Sequence, residues 1–498
     1  MCCRLSSLVA ATVAGALAAG VVVAAADAPL IEAARQDDRA RVETLLQARA
    51  DVNARQPDGA TALHWAAHHD DTALASRPLR AGARPGLADD TGATPLFLAC
   101  MNRSSAMVTL LLDAGADASA ALLSGETTLM TCSRTGDTAA VRALLAHGAD
   151  VNRKEPHHDQ TALMWAAAGA HPAVVSALIG AGADVHARSR TFSQTVTSEV
   201  TQRALREQLN YTIERGGSTP LLFAARSGDA DSVRLLVDAG ADVNDALPNG
   251  ITALVEAAHS GHEDAGIALL EKGANPNLAQ AGYTALHAAV LRSGVRLVQA
   301  LLAHGADPNV RMTKGTPVRR NSEDFELPAT LVGTTPYFLA AKFLEPAIMR
   351  ALSSAGADTR KTMNRSGETA LMAAAGMGAS SQADRRGLSV LDGGRIEDEG
   401  RVVEAVAVAI ADGADVNAAN AAGETALHAA ALLGYDRVVK QLADAGAKVD
   451  MKNACGATPD QVAGKAVPRA PDRSSLGPRQ STVDLLCTLS GGTPPARD

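Results

Sequence analysis

The histidines of this chain are the residues best placed to do chemistry. His157-His158-Asp159 and His68-His69-Asp70-Asp71 each set two imidazoles beside carboxylates, donor types that a divalent metal takes. Neither run has the ligand spacing of a zinc site, and solvated turns explain both at less cost. His64, His287 and His428 behave differently, because all three follow the same tripeptide, Thr-Ala-Leu. Such recurrence points to a hydrogen bond within a scaffold rather than to catalysis. No phosphate-binding glycine loop and no nucleophile elbow occurs, and the carboxylates are spread evenly with no outstanding acid pair. The sequence therefore nominates no catalytic residue, no metal ligand and no cofactor. An enzyme or metal-binding protein using His157, His158 and Asp159, or an inserted loop, is the alternative from another class, and a structural spacer is a third.

The elements that carry these residues are repeated. Thr-(Ala/Pro)-Leu-x-x-Ala starts at Thr61, Thr94, Thr127, Thr161, Thr219, Thr252, Thr284, Thr335, Thr369, Thr425 and Thr458, and Ala28 fits the frame without its Thr. Seven of the ten steps between these threonines are 32 to 34 residues, so the chain is a stack of small units. Apolar residues fall at i, i+3, i+4 and i+7 in both halves of each repeat, which predicts two short amphipathic helices. Thr caps the first helix, and Pro follows it at Thr94-Pro95, Thr219-Pro220 and Thr335-Pro336. Gly136, Gly228, Gly261 and Gly434 stop the first helix, and the Gly of Gly-Ala-Asp stops the second. Alanine pairs such as Ala66-Ala67 and Ala224-Ala225 let neighbouring helices approach closely.

The repeat at 250–277, Gly-Ile-Thr-Ala-Leu-Val-Glu-Ala-Ala-His-Ser-Gly and onward to Gly-Ala-Asn-Pro-Asn, resembles the ankyrin repeat, as does that at 423–450. The resemblance covers nearly all of 28–460. It implies an all-α solenoid of about twelve helix-turn-helix units with hairpin loops, and a protein-binding function carried by a concave face.

Extra sequence breaks the period at 188–216, 311–332, 377–400 and 465–480 within the array at 27–498. The first two follow Asp-Val-His186 and Asp-Pro-Asn309, which places both in hairpin loops on one edge of an ankyrin-like array. A helix through Val200, Leu205 and Leu209 is expected in the first. The third lies between the two helices of its repeat. Insertions in repeat arrays map to loops that often bind partners, although long loops are also tolerated neutrally. The connections carrying the first two are the expected weak points of the stack.

Residues 1–26 read as a cleaved signal peptide, with Arg4 before an apolar run ending in Ala24-Ala25-Ala26; an uncleaved anchor is the alternative. The expected location is periplasmic or secreted, and the excess of Arg over Lys suggests a bacterial source. The formal charge is −8 with no concentrated basic run, which excludes a nucleic-acid partner; after signal cleavage no membrane contact is expected, and the chain is expected to be a monomer. Cys100 and Cys132 sit on successive first helices, whose spacing of roughly 8–10 Å suggests buried thiols. For Cys455 and Cys487, a disulfide and free thiols both remain open.

The expected function is a protein-interaction scaffold. Its candidate contact residues are Trp65, His68, His69, Arg134, Trp165, Arg226, His259, Leu291 and Lys342, on or beside the row that lines the groove in ankyrin-like proteins. For the two tryptophans, packing against the next repeat is the competing use.

Overall fold

The computed structural model describes residues 29–202, 205–316, 327, 329–363, 366–378, 395–464 and 479–492. The expected leader at 1–26 lies outside them, as does most of the sequence inserted at 377–400 and 465–480. The chain divides into two compact units, Met1–Leu122 and Leu123–Asp498.

The first unit holds three helix pairs: α1 (Pro29–Arg35) with α2 (Arg39–Gln47), α3 (Ala62–His68) with α4 (Thr72–Arg80), and α5 (Pro95–Met101) with α6 (Ser105–Asp113). The second unit starts with α7 (Thr128–Thr135) and α8 (Thr138–Ala146), then α9 (Ala162–Ala168) and α10 (Pro172–Gly180). Two strands follow, β1 (Phe192–Gln202) and β2 (Leu205–Arg215). Next come α11 (Pro220–Ser227) with α12 (Ala230–Asp238), α13 (Ala253–Ser260) with α14 (Glu263–Glu271), and α15 (Ala285–Leu291) with α16 (Val295–Ala303). After the second insertion stand α17 (Pro336–Lys342) with α18 (Pro346–Ser354), and α19 (Ala370–Ala374) with α20 (Glu399–Ala411). The unit ends with α21 (Ala426–Leu433), α22 (Asp436–Asp444), α23 (Pro459–Ala463) and α24 (Gln480–Leu489). Within each unit, first helices pack on the first helices of neighbouring repeats and second helices on second helices. Packing of this kind leaves each repeat dependent on its neighbours for a core. The alanine pairs lie at those contacts, and Ala66, Ala67, Ala224 and Ala225 are fully buried.

The threonine is the N-cap in the expected way. Thr94 Oγ1 accepts from Phe97 N at 3.3 Å, and Thr127 Oγ1 accepts from Met130 N at 3.2 Å. Nine residues after it the first helix ends in left-handed backbone, as at Gly136 (φ 82°) and Gly228 (φ 82°). Six repeats lack that glycine. Asp37, Asp70, Arg103, Ala170, Ser293 and Leu344 hold the same conformation at φ between 53° and 58°, a strained choice for an L-residue.

The closing asparagines staple consecutive repeats. Asn277 donates from Nδ2 to Gly305 O (2.8 Å) and accepts at Oδ1 from Asp307 N (2.8 Å). Asn309 makes the same two bonds to Gly356 O (3.1 Å) and Asp358 N (2.7 Å), across the second insertion. That connection is therefore stapled like its neighbours. At the first insertion His186 takes the asparagine place, and this staple is absent from the described residues.

Two expectations are corrected. The first insertion forms an antiparallel hairpin of eleven residue pairs, not a helix through Val200, Leu205 and Leu209. Its sequence is rich in β-branched Thr, Val and Ile, and Leu209, Tyr211 and Ile213 alternate with polar residues. Cys100 and Cys132, expected as thiols, are both buried and disulfide-bonded. A distance of roughly 8–10 Å between helix axes sets no bound on where a cysteine Sγ reaches. Cys455 and Cys487 are free.

Candidate functional site

Two structural devices position the candidate surface. The first is the turn ahead of each first helix. In an ordinary repeat this turn is five residues long: Gln56 N donates to Ala60 O (2.8 Å) and Gly59 N to Gln56 O (2.9 Å). At the first insertion the same frame is closed by Ser189 N to Ser218 O (3.0 Å) and Gly217 N to Ser189 O (3.2 Å). At the second it is closed by Met312 N to Thr334 O (3.0 Å) and Gly333 N to Met312 O (2.8 Å). Both insertions thus open from one place in the turn. An arginine precedes the frame each time. Arg55 donates to Gly59 O (3.2 Å), Arg188 to Gly217 O (2.9 Å) and Arg311 to Gly333 O (2.6 Å). Each also reaches the following turn: Arg55 at Ala88 O, Arg188 at Asp245, and Arg311 at Thr362 O (3.0 Å).

The second device is the buried histidine. His64 Nδ1 accepts from Thr61 N (3.1 Å) and lies 2.9 Å from Thr61 Oγ1, while Nε2 is 3.0 Å from Ala93 O in the next turn. His428 repeats this with Thr425 and Ala457 O (3.2 Å). His287 Nδ1 accepts from Thr284 N (3.3 Å) and lies 3.0 Å from Thr284 Oγ1. Burial pushes the pKa of all three below the imidazole range, and that of His287 to about 4. They hold turns to helices, as the sequence suggested.

The metal alternative is not supported by the geometry of its residues. Glu155 accepts from the backbone N of His157 (2.7 Å), His158 (2.7 Å) and Gln160 (3.1 Å), so it organises a turn. The Asp159 carboxylate is held by Arg190 through two bonds of 3.1 and 3.0 Å. Among the described residues no three His, Cys, Asp or Glu groups converge to hold a metal.

The candidate contact residues fall into three kinds. In the first unit, Trp65, His68 and His69 form an aromatic cluster with ring centroids 5.5 to 6.1 Å apart. Both histidines are exposed and Trp65 is half-buried, its Nε1 donating to Gln56 Oε1 at 3.1 Å. In the second unit, the exposed Arg134 guanidinium stands 5.4 Å from the ring of half-buried Trp165 and 3.5 Å from Glu126. Arg226 lies 5.8 Å from the Phe223 ring and pairs with Glu256 at 2.7 Å. The Glu256 side chain is only 2% exposed, so Arg226 neutralises a buried carboxylate as well as facing solvent. His259 is half-buried. Lys342 is also half-buried, donates to Gly378 O at 3.2 Å, and has its pKa lowered by burial.

Leu291 is a correction. It is 1% exposed and offers nothing to a partner. All of α15 is buried, and the insertion at 311–332 has buried residues of its own in Met312, Leu327 and Leu331. Met101 and Leu432, at the same place in other repeats, stay exposed. The sequence reading missed Phe223 and Glu256. Both sit four residues after the repeat threonine, the place of Trp65 and Trp165, so the register alone could have found them.

Comparisons with known proteins follow this geometry. The family model of ankyrin repeats in three copies matches residues 30–121, 115–189 and 221–312. The single ankyrin repeat model matches 422–454. The solved ankyrin repeat domain of human ASB11 is 27% identical, with 50% of this chain and 99% of that chain covered and a TM-score of 0.39. No curated protein matches the chain. With the matched segments covering more than half of the sequence and the cap, turn and staple recurring through the stack, the chain belongs to the ankyrin-repeat family.

Proposed function

We propose that this chain is an exported bacterial scaffold, working in the periplasm or outside the cell. It binds a protein partner through the first-helix row and the loops inserted at 188–216 and 311–332, and it catalyses no reaction. Ankyrin repeats are in general protein-interaction modules. The observation that carries the reading here is the exposed Arg134 guanidinium above Trp165, with Arg226 beside Phe223. Guanidinium and aromatic groups that share a surface are the usual anchors of protein interfaces, and they suit a mixed polar and apolar partner. One continuous charged polymer would call for a denser run of cations. Both loops open from the same place in the turn, which supports their use together with this row.

The test is affinity capture with the full chain at sub-micromolar concentration, followed by binding measurements on the captured protein. Arg134→Ala should weaken binding at least tenfold and change stability by less than about 1 kcal/mol, since the Arg134 side chain is half exposed and its pair with Glu126 is a long 3.5 Å. Shortening either inserted loop outside its hydrogen-bonded frame should weaken binding and preserve folding. A captured protein that binds all three variants as tightly as the parent removes this surface from the interaction.

A further inference from the structure

Helix α9 packs between α7 and α11, and the three form a hollow in the first-helix row. They carry only two charged residues, Arg134 and Arg226, at one register on the outer pair. At that register the middle helix has Ala168, which is exposed. His259 and Lys342 hold the same place in later repeats. The next residue, Gly169, is small for a structural reason, since a Cβ there would lie 2.7 Å from the His171 ring. Ala168 has no such duty, so a long side chain is missing where the fold accepts one. Half-buried Trp165 and Phe223 share a register one turn earlier, on the same face of their helices, and floor the hollow.

Two bonds hold the three helix ends in place. His171 Nε2 lies 2.9 Å from Arg134 O, and Ser227 Oγ donates to Ala167 O at 2.8 Å. The rim is cationic towards solvent although each arginine has a carboxylate beside it. The side chains of Arg134 and Arg226 are 49% and 44% exposed, whereas those of Glu126 and Glu256 are 20% and 2% exposed. The carboxylates are sunk and the guanidinium groups reach outward. Arg226 bonds Glu256 through Nε, which leaves its terminal nitrogens able to donate to a second carboxylate.

We propose that this hollow takes one bulky apolar side chain from an acidic segment of the protein partner, with a carboxylate meeting each arginine. The proposal rests on the groove reading above and names the kind of segment that groove accepts. Contact with Trp165, Ala168 and Phe223 supplies the anchor, while the two guanidinium groups fix its position and select against basic segments. Two helix spacings of roughly 8–10 Å separate α7 from α11, and an extended chain rises about 3.3 Å per residue. The two acidic residues therefore stand about five or six places apart, with the apolar residue between them. One anchor and two rim charges make a weak contact for an isolated peptide, with a dissociation constant of roughly 10–100 µM.

Peptide display on the immobilised full chain tests this, followed by fluorescence anisotropy of the tightest peptide selected. The selected peptides should share a bulky apolar residue flanked by Asp or Glu. Replacing the apolar residue by alanine, or the acidic ones by lysine, should each weaken binding at least tenfold. Ala168→Arg should also weaken it at least tenfold by filling the hollow. Attraction by charge alone gives the opposite sign, because that change adds a cation to the rim. Arginine already holds this register at Arg134 and Arg226, so the urea midpoint of Ala168→Arg should match that of the parent. The peptide changes leave the fold untouched and decide the matter if that midpoint falls. Selected peptides that lack acidic residues or an apolar anchor overturn the proposal, as does an affinity that Ala168→Arg leaves unchanged or raises. A selection that yields no peptide overturns it too. So does oligothymidylate bound in this hollow, because the occupant would then be a nucleic acid. A captured protein that depends on Arg134 but not on Ala168 leaves the groove reading standing while this proposal falls. Peptides that behave as stated, with no protein captured, do the reverse.

Discussion

Lowering the pH should weaken the stack through His287, by an amount the structure sets. The imidazole is fully buried, its Nδ1 accepts from Thr284 N, and burial holds its pKa at about 4. The carbonyl groups of Thr334 and Val310 favour the charged form but are outweighed. In the unfolded chain the pKa returns to about 6.5. Between these values the unfolded state binds more protons, so stability is complete above pH 6.5 and falls as the pH drops towards 4. At pH 5.0 the single-site expression gives a loss of about 2 kcal/mol relative to pH 7.5, rising to about 3 kcal/mol below pH 4. His64 and His428 shift in the same direction, and the lowered carboxylates Asp71 and Asp89 add losses at lower pH, so the parent alone does not isolate His287. His287→Gln does. The last repeat already places Gln461 there, with Oε1 accepting from Thr458 N at 3.2 Å, so the amide can keep the bond without titrating. Urea unfolding of parent and variant, followed by circular dichroism at pH 7.5 and 5.0, should show the gap between them shifting by about 2 kcal/mol in favour of glutamine at the lower pH. A gap constant to within about 0.5 kcal/mol would refute the assignment, since a buried imidazole held at about 4 cannot be silent over this range.

Three further outcomes are expected. Ala170→Gly, at an exposed left-handed position with φ 55°, should raise stability by about 0.5–1 kcal/mol, the relief of strain exceeding the added freedom of the unfolded chain; an unchanged urea midpoint would count against the strain. His186→Asn should restore the missing staple after α10 and add about 1 kcal/mol, whereas Asn309→Ala should remove two bonds and cost about 1–2 kcal/mol, both read from thermal unfolding. Ala224→Phe should cost over about 1 kcal/mol by overpacking a fully buried contact between first helices, and unchanged stability would take Ala224 out of that contact.

Most of the fold was legible because it is written many times. Thr94 and Thr127 cap, Gly136 and Gly228 terminate, and Ala224 is buried, as the pattern required. The insertions occur once, and a single occurrence carries no register. In 188–216 three apolar residues suggested a helix, while the β-branched content and period of two favoured the hairpin that forms. The candidate surface was half legible. Arg134, Arg226, His68 and His69 stand where the register put them, in water. Leu291 has the same register but is buried, so register alone does not decide exposure. Cys100 and Cys132 show the limit of axis spacings, which do not decide whether a thiol is bonded.

The arginine ahead of each opened turn has a consequence for how such a chain can change. Arg188 and Arg311 tie the mouth of their turns shut below the point where the extra residues begin. Whatever is spliced in above that knot enters and leaves through one fixed gap, and doubling its length costs only about 0.6 kcal/mol. Segments as unlike as a two-stranded hairpin and the 311–332 loop, which buries Met312, Leu327 and Leu331, are carried by the same kind of mouth. New specificity could then arise by swapping what hangs from two sockets while the rack that carries them stays the same.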